Sequence, residues 1–283
     1  MRIDTFKKIR ALALDLDGTA LLSDTRMGER TIAVLKKMIA CGVRVLFCTG
    51  RAIEAAERYR TAIGAHGPMV YFNGAEVVDM PAGTVLSSTL LELDVADFCV
   101  DMSRDMDVHF QMFLPPGIIK GADKWEALVI DRQRPESEMY HNHTGIIPIV
   151  HDLKTVILSR ELRGCVKAMF ICEPALHDEI RARLAERFGK RIYVARTFPT
   201  FIEVMNAGVS KGEGLRTALQ YLGISTDAVL AIGDEENDLL MFDISGLSAA
   251  PSNARENVRA RADFVFGANS EEGLAVFLEE NFL

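Results

Sequence analysis

Residues 9–22 read IRALALDLDGTALL, and five of the six positions from Ile9 to Leu14 are apolar before Asp15 and Asp17 follow, two apart. Within it Ala11 to Leu14, short and wholly apolar, predicts a strand buried on both faces, the kind found in parallel sheets covered by helices. Ionised aspartate is costly in an apolar setting, and two together repel. Either the strand ends at Leu14 and the acids open a loop, or something positive sits between them. The rest of the chain supports both.

The pattern repeats. Residues 29–40 carry Ile32, Leu35 and Ile39 on one helical face, and Gly42 stops that helix. Residues 43–48, VRVLFC, predict a second buried strand, followed by TGR. Residues 52–63 predict a helix, and 70–72 a third strand followed by NGAEVVD. Strand and helix alternating in this way imply a parallel, doubly wound sheet. The pattern then changes. DMPAGTVL, residues 79–86, is a turn between hairpin strands. Helices are expected over 94–104 and 173–188, the latter opened by Pro174. Strands are expected over 108–114, 166–172, 191–197 and 200–205. MYHNHTGIIP, residues 139–148, reads as a polar loop, and its HNH as no nuclease site, since too few ligands surround it. After NAGVSKGEG the alternation resumes, with a helix over 212–222 and a strand over 228–232 followed by GDEENDLLMF. Shorter strands over 247–249 and 263–266 and a helix over 272–282 complete it. The expected fold is α/β: a doubly wound parallel-sheet (Rossmann-like) core from residues 1–84 plus 207–283, with an α+β domain inserted over 85–206. Hinges are expected near 80–88 and 204–210, where Gly83 and Gly208 can bend.

The bulk numbers restrict function. A formal net charge of −8 argues against a nucleic-acid partner. No apolar run is long enough to span a membrane. The start of the chain lacks the apolar stretch of a signal peptide. The five scattered cysteines, without a CxxC pair, read as reduced residues of a cytoplasmic protein. No obligate protein partner is evident.

Ligands of such sheets bind at the carboxyl ends of the strands, and the polar clusters of this chain all fall there. Asp15, Asp17, Gly18 and Thr19 follow the first strand, Thr49, Gly50 and Arg51 the second, Asn73 and Gly74 the third. Gly233, Asp234, Asn237 and Asp238 follow residues 228–232, and Lys211 opens a helix where the core resumes. Taken singly, each has a plainer reading. DxDG suits a turn, Lys211 a solvated helix start, and Asp234 and Asp238 the positive end of a helix dipole. The conjunction does not. Asp15, Asp17, Asp234 and Asp238 crowded in one crevice need a cation, and Mg²⁺ takes carboxylate, phosphate and water oxygens. A carboxylate can attack phosphorus to form an aspartyl-phosphate, and a second can shuttle the proton. Lys211 would offset charge. The Thr49 hydroxyl and loop N–H groups, approached closely at Gly18 and Gly50, would bind phosphate.

DLDGT, TGR, SKG and GDEENDLLM, in that order, resemble the four signature motifs of the haloacid dehalogenase-like (HAD) hydrolase superfamily. NGAEV and the long insert resemble its Cof-type phosphatases, which carry a C2-type cap. The resemblance implies that Asp15 is nucleophile and Mg²⁺ ligand, and that Asp17 is general acid/base with its carbonyl on the metal. It implies Asp234 as a third ligand and Asp238 in the outer shell of the metal or orienting Lys211. Thr49, Lys211 and Asn237 then hold phosphate, with Gly18 and Gly50 beside it. Asn73 and Gly74 face the substrate, and Arg51 orients a loop or touches substrate. PSNARENVRARAD resembles the stretch after the fourth motif, with Asn253 in its usual place, although SAAPSNA departs from the more usual VAMGNA. The resemblance also implies that the dehalogenase branch lacks the second acid while phosphatases keep it, so the presence of Asp17 points to phosphate ester hydrolysis of a small phosphorylated metabolite. A phosphomutase of the same superfamily and a phosphorylatable receiver-like signalling domain are the alternatives.

Overall fold

The computed structural model describes residues 6–121 and 124–283. In chain order the elements are β1 (Ala11–Leu14), α1 (Glu29–Ala40), β2 (Arg44–Phe47), α2 (Ile53–Ile63), β3 (Gly67–Tyr71), β4 (Glu76–Met80) and β5 (Thr84–Ser88). Then come α3 (Leu93–Asp105), β6 (His109–Leu114), β7 (Ala127–Ile130), α4 (Pro135–Thr144), β8 (Ile149–Val150), α5 (Leu153–Ile157), β9 (Lys167–Ile171), α6 (His177–Phe188), β10 (Ile192–Phe198) and β11 (Phe201–Asn206). The last are α7 (Lys211–Leu222), β12 (Val229–Ile232), α8 (Leu239–Phe242), β13 (Leu247–Pro251), α9 (Glu256–Arg259), β14 (Phe264–Phe266) and α10 (Gly273–Phe282). They form two compact units. The first takes the residues up to Arg51, Ala56–Ser87 and Ser210–Leu283, and the second takes Ala52–Ala55 and Ser88–Val209.

The first unit is built on a parallel sheet in the order β14-β13-β12-β1-β2, which β3 extends through a parallel bridge between Cys48 and Val70. All four residues of β1 and all four of β12 are buried, as apolar runs at the middle of a sheet must be. Ala11, Ala13, Leu46, Val229 and Ala231 pack on Leu215, Ala218 and Leu219 of α7 and on Met241 and Phe242 of α8. The small residues of β1 let α7 approach the sheet, while α1 and α10 pack together with β2 and β14. Asp15 therefore follows a fully covered central strand.

The second unit is a six-stranded sheet in the order β10-β11-β9-β6-β7-β8, antiparallel except for the β7–β8 pair. Period-two alternation divides its faces. Phe110, Met112, Phe170, Ile202 and Val204 meet Val95 and Cys99 of α3, Val156 of α5, and Ile180 and Leu184 of α6. The opposite face carries Phe113 and Phe201, whose rings lie 6.3 and 5.8 Å from that of Tyr140 on α4. It also carries a buried pair, Lys167 Nζ to Glu203 Oε1 at 2.6 Å, with the ammonium 5.3 Å from the Phe113 ring centroid.

The stretch read as a polar loop is in part helical. Met139 to Thr144 belong to α4, which starts at Pro135 and ends at the left-handed Gly145, φ 82°. The Gly145 N–H donates to His141 O, and His141 Nδ1 lies 2.9 Å from Ile146 O, so this histidine fastens the exit of its own helix.

Candidate active site

Strand register assembles the site. β1 pairs in parallel with β12 and β2, so that Leu14 stands opposite both Ile232 and Phe47. The residues just past those three ends are Asp15, Gly233 with Asp234, and Cys48 with Thr49. Neighbouring strands lie about 4.8 Å apart, so groups far apart in sequence become neighbours. Backbone bonds continue the alignment past the strands: Asp15 N donates to Ile232 O at 2.9 Å and Cys48 N to Leu14 O at 2.9 Å. A further bond, Thr49 N to Val70 O at 2.9 Å, ties the second strand end to β3.

At the centre is Lys211, the first residue of α7, 3 % exposed. The side chain of Ser210 caps that helix by accepting from Glu213 N, which sets the angle at which Lys211 enters. Lys211 Nζ reaches Asp15 Oδ1 at 2.6 Å and Asp238 Oδ1 at 2.7 Å. The other Asp238 oxygen accepts from Asp234 N at 2.9 Å and Glu235 N at 3.0 Å. Asp234 Oδ1 accepts from the Thr19 hydroxyl at 2.8 Å. Asp15, Asp234 and Asp238 are all buried, and each offers an oxygen within 4.8 Å of the others.

One ammonium does not balance three carboxylates. Burial pushes the Asp15 carboxyl well above the ordinary range, Lys211 opposes this, and the charges of Asp238 and Asp234 add to it. Burial, with Asp238 beside it, raises Asp234 to about 7, against a pull downward from the Thr19 hydrogen bond. Burial alone would lower Lys211, but Asp15 and Asp238 outweigh it and hold the ammonium above its ordinary pKa. The pocket thus carries an excess of negative charge that protons or a cation must compensate.

Around this centre the other expected residues gather. Thr49 is fully buried, and its Oγ1 accepts from Arg51 N at 3.1 Å. The guanidinium of Arg51 grips Asp17 with two parallel bonds, Nε to Oδ2 at 2.7 Å and Nη2 to Oδ1 at 2.6 Å. Asn237 Nδ2 donates to Asn73 Oδ1 at 3.0 Å, and Asn73 N donates to Thr49 O at 2.9 Å. Gly50 adjoins the same amide, since a Cβ there would fall 3.0 Å from Asn73 Oδ1. Gly18 has φ +75°, and a Cβ on it would fall 2.2 Å from Asp234 Oδ2. Gly74, φ +102°, passes so close to Ser210 that a Cβ would fall 2.0 Å from its carbonyl oxygen. That glycine lets the loop after β3 rest on the cap of the helix bearing Lys211.

Some contributors had no sequence argument of their own. Thr19 was one of a cluster, yet it is the hydroxyl that holds Asp234. Asn253 Nδ2 donates to Gly18 O at 2.8 Å while its Oδ1 accepts from Asn269 N at 2.9 Å, which ties the Asp17–Gly18 turn to the far edge of the sheet. Only the folded register shows these partners.

Known proteins resemble this chain over nearly its whole length. The family of haloacid dehalogenase-like hydrolases matches residues 12–278. The 5-amino-6-(5-phospho-D-ribitylamino)uracil phosphatase YitU of Bacillus subtilis is 29% identical over 284 residues, covering 96% of this chain and 97% of its own. The pyridoxal phosphate phosphatase YbhA of Escherichia coli is 24% identical over 291 residues, covering 97% and 99%. The crystal structure of a haloacid dehalogenase-like hydrolase from Bacteroides thetaiotaomicron superposes with a TM-score of 0.85 at 23% identity, covering 96% of this chain and 99% of that one. The sheet, its loop ends and the family match lead to one statement: this chain belongs to the haloacid dehalogenase-like hydrolases.

Proposed function

We propose that the chain is a Mg²⁺-dependent phosphatase that hydrolyses small phosphorylated metabolites through an aspartyl-phosphate on Asp15. The observation that carries this reading is the buried set of Asp15, Asp234 and Asp238 bridged by Lys211. Phosphatases of phosphorylated ring compounds among its relatives support the substrate class.

The donor set fits a hard divalent cation: crowded carboxylate oxygens, two of them on groups whose ionised form is disfavoured, with a single ammonium against them. Asp15, Asp234 and the Asp17 carbonyl would hold it. Asp238 spends its oxygens on Lys211 and two backbone N–H groups, and so keeps Lys211 and the Asp234 loop in place. When bound, such a cation neutralises the charge that builds up between carboxylate and phosphoryl oxygens.

The rest is done by the chain. The Asp15 oxygen attacks phosphorus, and its new bond forms as the ester oxygen leaves. Protonated Asp17 delivers its proton to that leaving oxygen, so that a neutral alcohol departs. The Asp17 carboxylate then takes a proton from a water whose oxygen attacks phosphorus. The bond from Asp15 to phosphorus breaks, which frees phosphate and restores Asp15. Lys211 stays within reach of Asp15 throughout and offsets the crowded charge. Thr49 accepts its hydrogen bond from Arg51 N, which leaves the hydroxyl proton for a phosphate oxygen. Asn237, Gly18 and Gly50 line the same space.

The test is phosphate release across a panel of phosphorylated metabolites, with Mg²⁺ and with EDTA, beside Asp15→Asn. The expected result is turnover that needs Mg²⁺ and falls to background in Asp15→Asn. A long-lived phosphoprotein with no turnover would favour the signalling reading, and transfer to a second hydroxyl of the substrate the mutase.

A further inference from the structure

The grip of Arg51 on Asp17 is not explained by phosphate binding. Both bonds run between parallel edges, the strongest geometry an arginine and a carboxylate adopt. The Arg51 side chain is 7 % exposed, whereas that of Asp17 is 51 % exposed. The buried partner is therefore the fixture and the half-exposed acid the part it holds. Arg51 is itself held from several sides. Its backbone N–H donates to Thr49 Oγ1 and its carbonyl accepts from Phe72 N. Its guanidinium carbon stands 5.5 Å from the ring centroid of Tyr59, a buried residue of α2. The Tyr59 hydroxyl donates to Thr25 O at 2.5 Å, at the turn between the bridged Leu21 and Met27, where Thr25 takes φ +63°. A β-branched residue seldom adopts that conformation without need.

We propose that Arg51 is a positioning residue, not a phosphate ligand: backed by the Tyr59 ring, it holds the Asp17 carboxyl beside the ester oxygen, gives up one of its two bonds when that carboxyl takes the proton it will deliver, and so governs how well the leaving alcohol is protonated. The inference rests on the phosphatase reading above. The aim matters in proportion to the leaving group's need for a proton. An alkyl phosphate expels a strongly basic alkoxide, while p-nitrophenyl phosphate expels a phenolate that leaves without help. A residue that grips the phosphoryl group would matter equally to both.

The experiment measures kcat and KM for glycerol phosphate and for p-nitrophenyl phosphate in the wild type, Arg51→Lys, Arg51→Met and Asp17→Asn. It adds Asp17→Asn/Arg51→Met and the binding of inorganic phosphate by calorimetry. Asp17 is open to solvent, so Arg51→Met leaves no buried carboxylate stranded, and Arg51→Lys guards against a folding defect. The expected loss in kcat on glycerol phosphate is about a hundredfold in Arg51→Met, the usual scale of general acid catalysis, and at least about tenfold smaller on p-nitrophenyl phosphate. KM and phosphate affinity should hold. The double variant should be no slower than Asp17→Asn alone, because both changes remove one function. Equal losses on both substrates, weakened phosphate binding, or additive losses in the double variant would overturn the inference and leave the phosphatase intact. A wild type that hydrolyses neither ester would remove both.

Discussion

The chemistry of single residues here turns on charge imbalance. Lys211 is the only ammonium touching Asp15 and Asp238 among the described residues. Lys211→Met would leave two buried carboxylates facing each other without compensation, and removing one member of a buried ionic group costs about 3–5 kcal/mol. Chemical denaturation should show that loss in EDTA, and Mg²⁺ should restore part of it. Asp234 adds a pH dependence. Its folded pKa, about 7, lies above the 3.8 of a free aspartate, so the folded protein keeps a proton that the unfolded chain has released. Between those values stability falls as pH rises, because the native state binds more protons. Thermal melts in EDTA should therefore decline from pH 4 toward pH 7 through this group. With Mg²⁺ the decline should shrink, and Asp234→Asn should remove most of the difference.

At the scale of elements, what was legible in the sequence was what periodicity and chain order carry. The apolar runs of β1, β2 and β12 and the helix over Glu29–Ala40 coincide with the structure to within a residue. α4 escaped because PESEMYHNHT has no apolar stripe. Its signals lay at the ends: Pro135 at the first turn, Ser137 accepting from Arg134 N, and Gly145 after the last residue. Because Gly145 is left-handed, Gly145→Ala should destabilise the second unit by about 1 kcal/mol. A lowered denaturation midpoint of that unit, with unchanged phosphate binding, is the expected measurement. Gly74 makes the same point for the site. NG after a strand looks like a turn, yet the glycine is demanded by the carbonyl of Ser210, which the sequence places far away.

For the whole molecule, the sequence carried the family because its clusters lie in an order that only one sheet brings together: β12 beside β1 beside β2. It could not carry the pairings, since Thr19 with Asp234, Arg51 with Asp17 and Asn253 with Gly18 depend on register and loop path. The inserted unit was legible as α+β by its strand and helix signals, but its buried Lys167–Glu203 pair was not, because each charge alone reads as surface. No helix among the described residues is long and apolar enough to cross a membrane. The proposed phosphatase reaction requires that Asp15 carry the phosphoryl group during turnover. The direct test is to acid-quench the enzyme in the first turnovers of an ester radiolabelled in its phosphoryl group, to map the labelled peptides in one portion, and in a second portion to reduce the trapped acyl phosphate with borohydride, which expels the phosphate and leaves an alcohol. Label is expected on the peptide bearing Asp15 in the first portion, conversion of that side chain to the alcohol in the second, and neither in Asp15→Asn. Steady turnover with no labelled protein, or label on another residue, would contradict it.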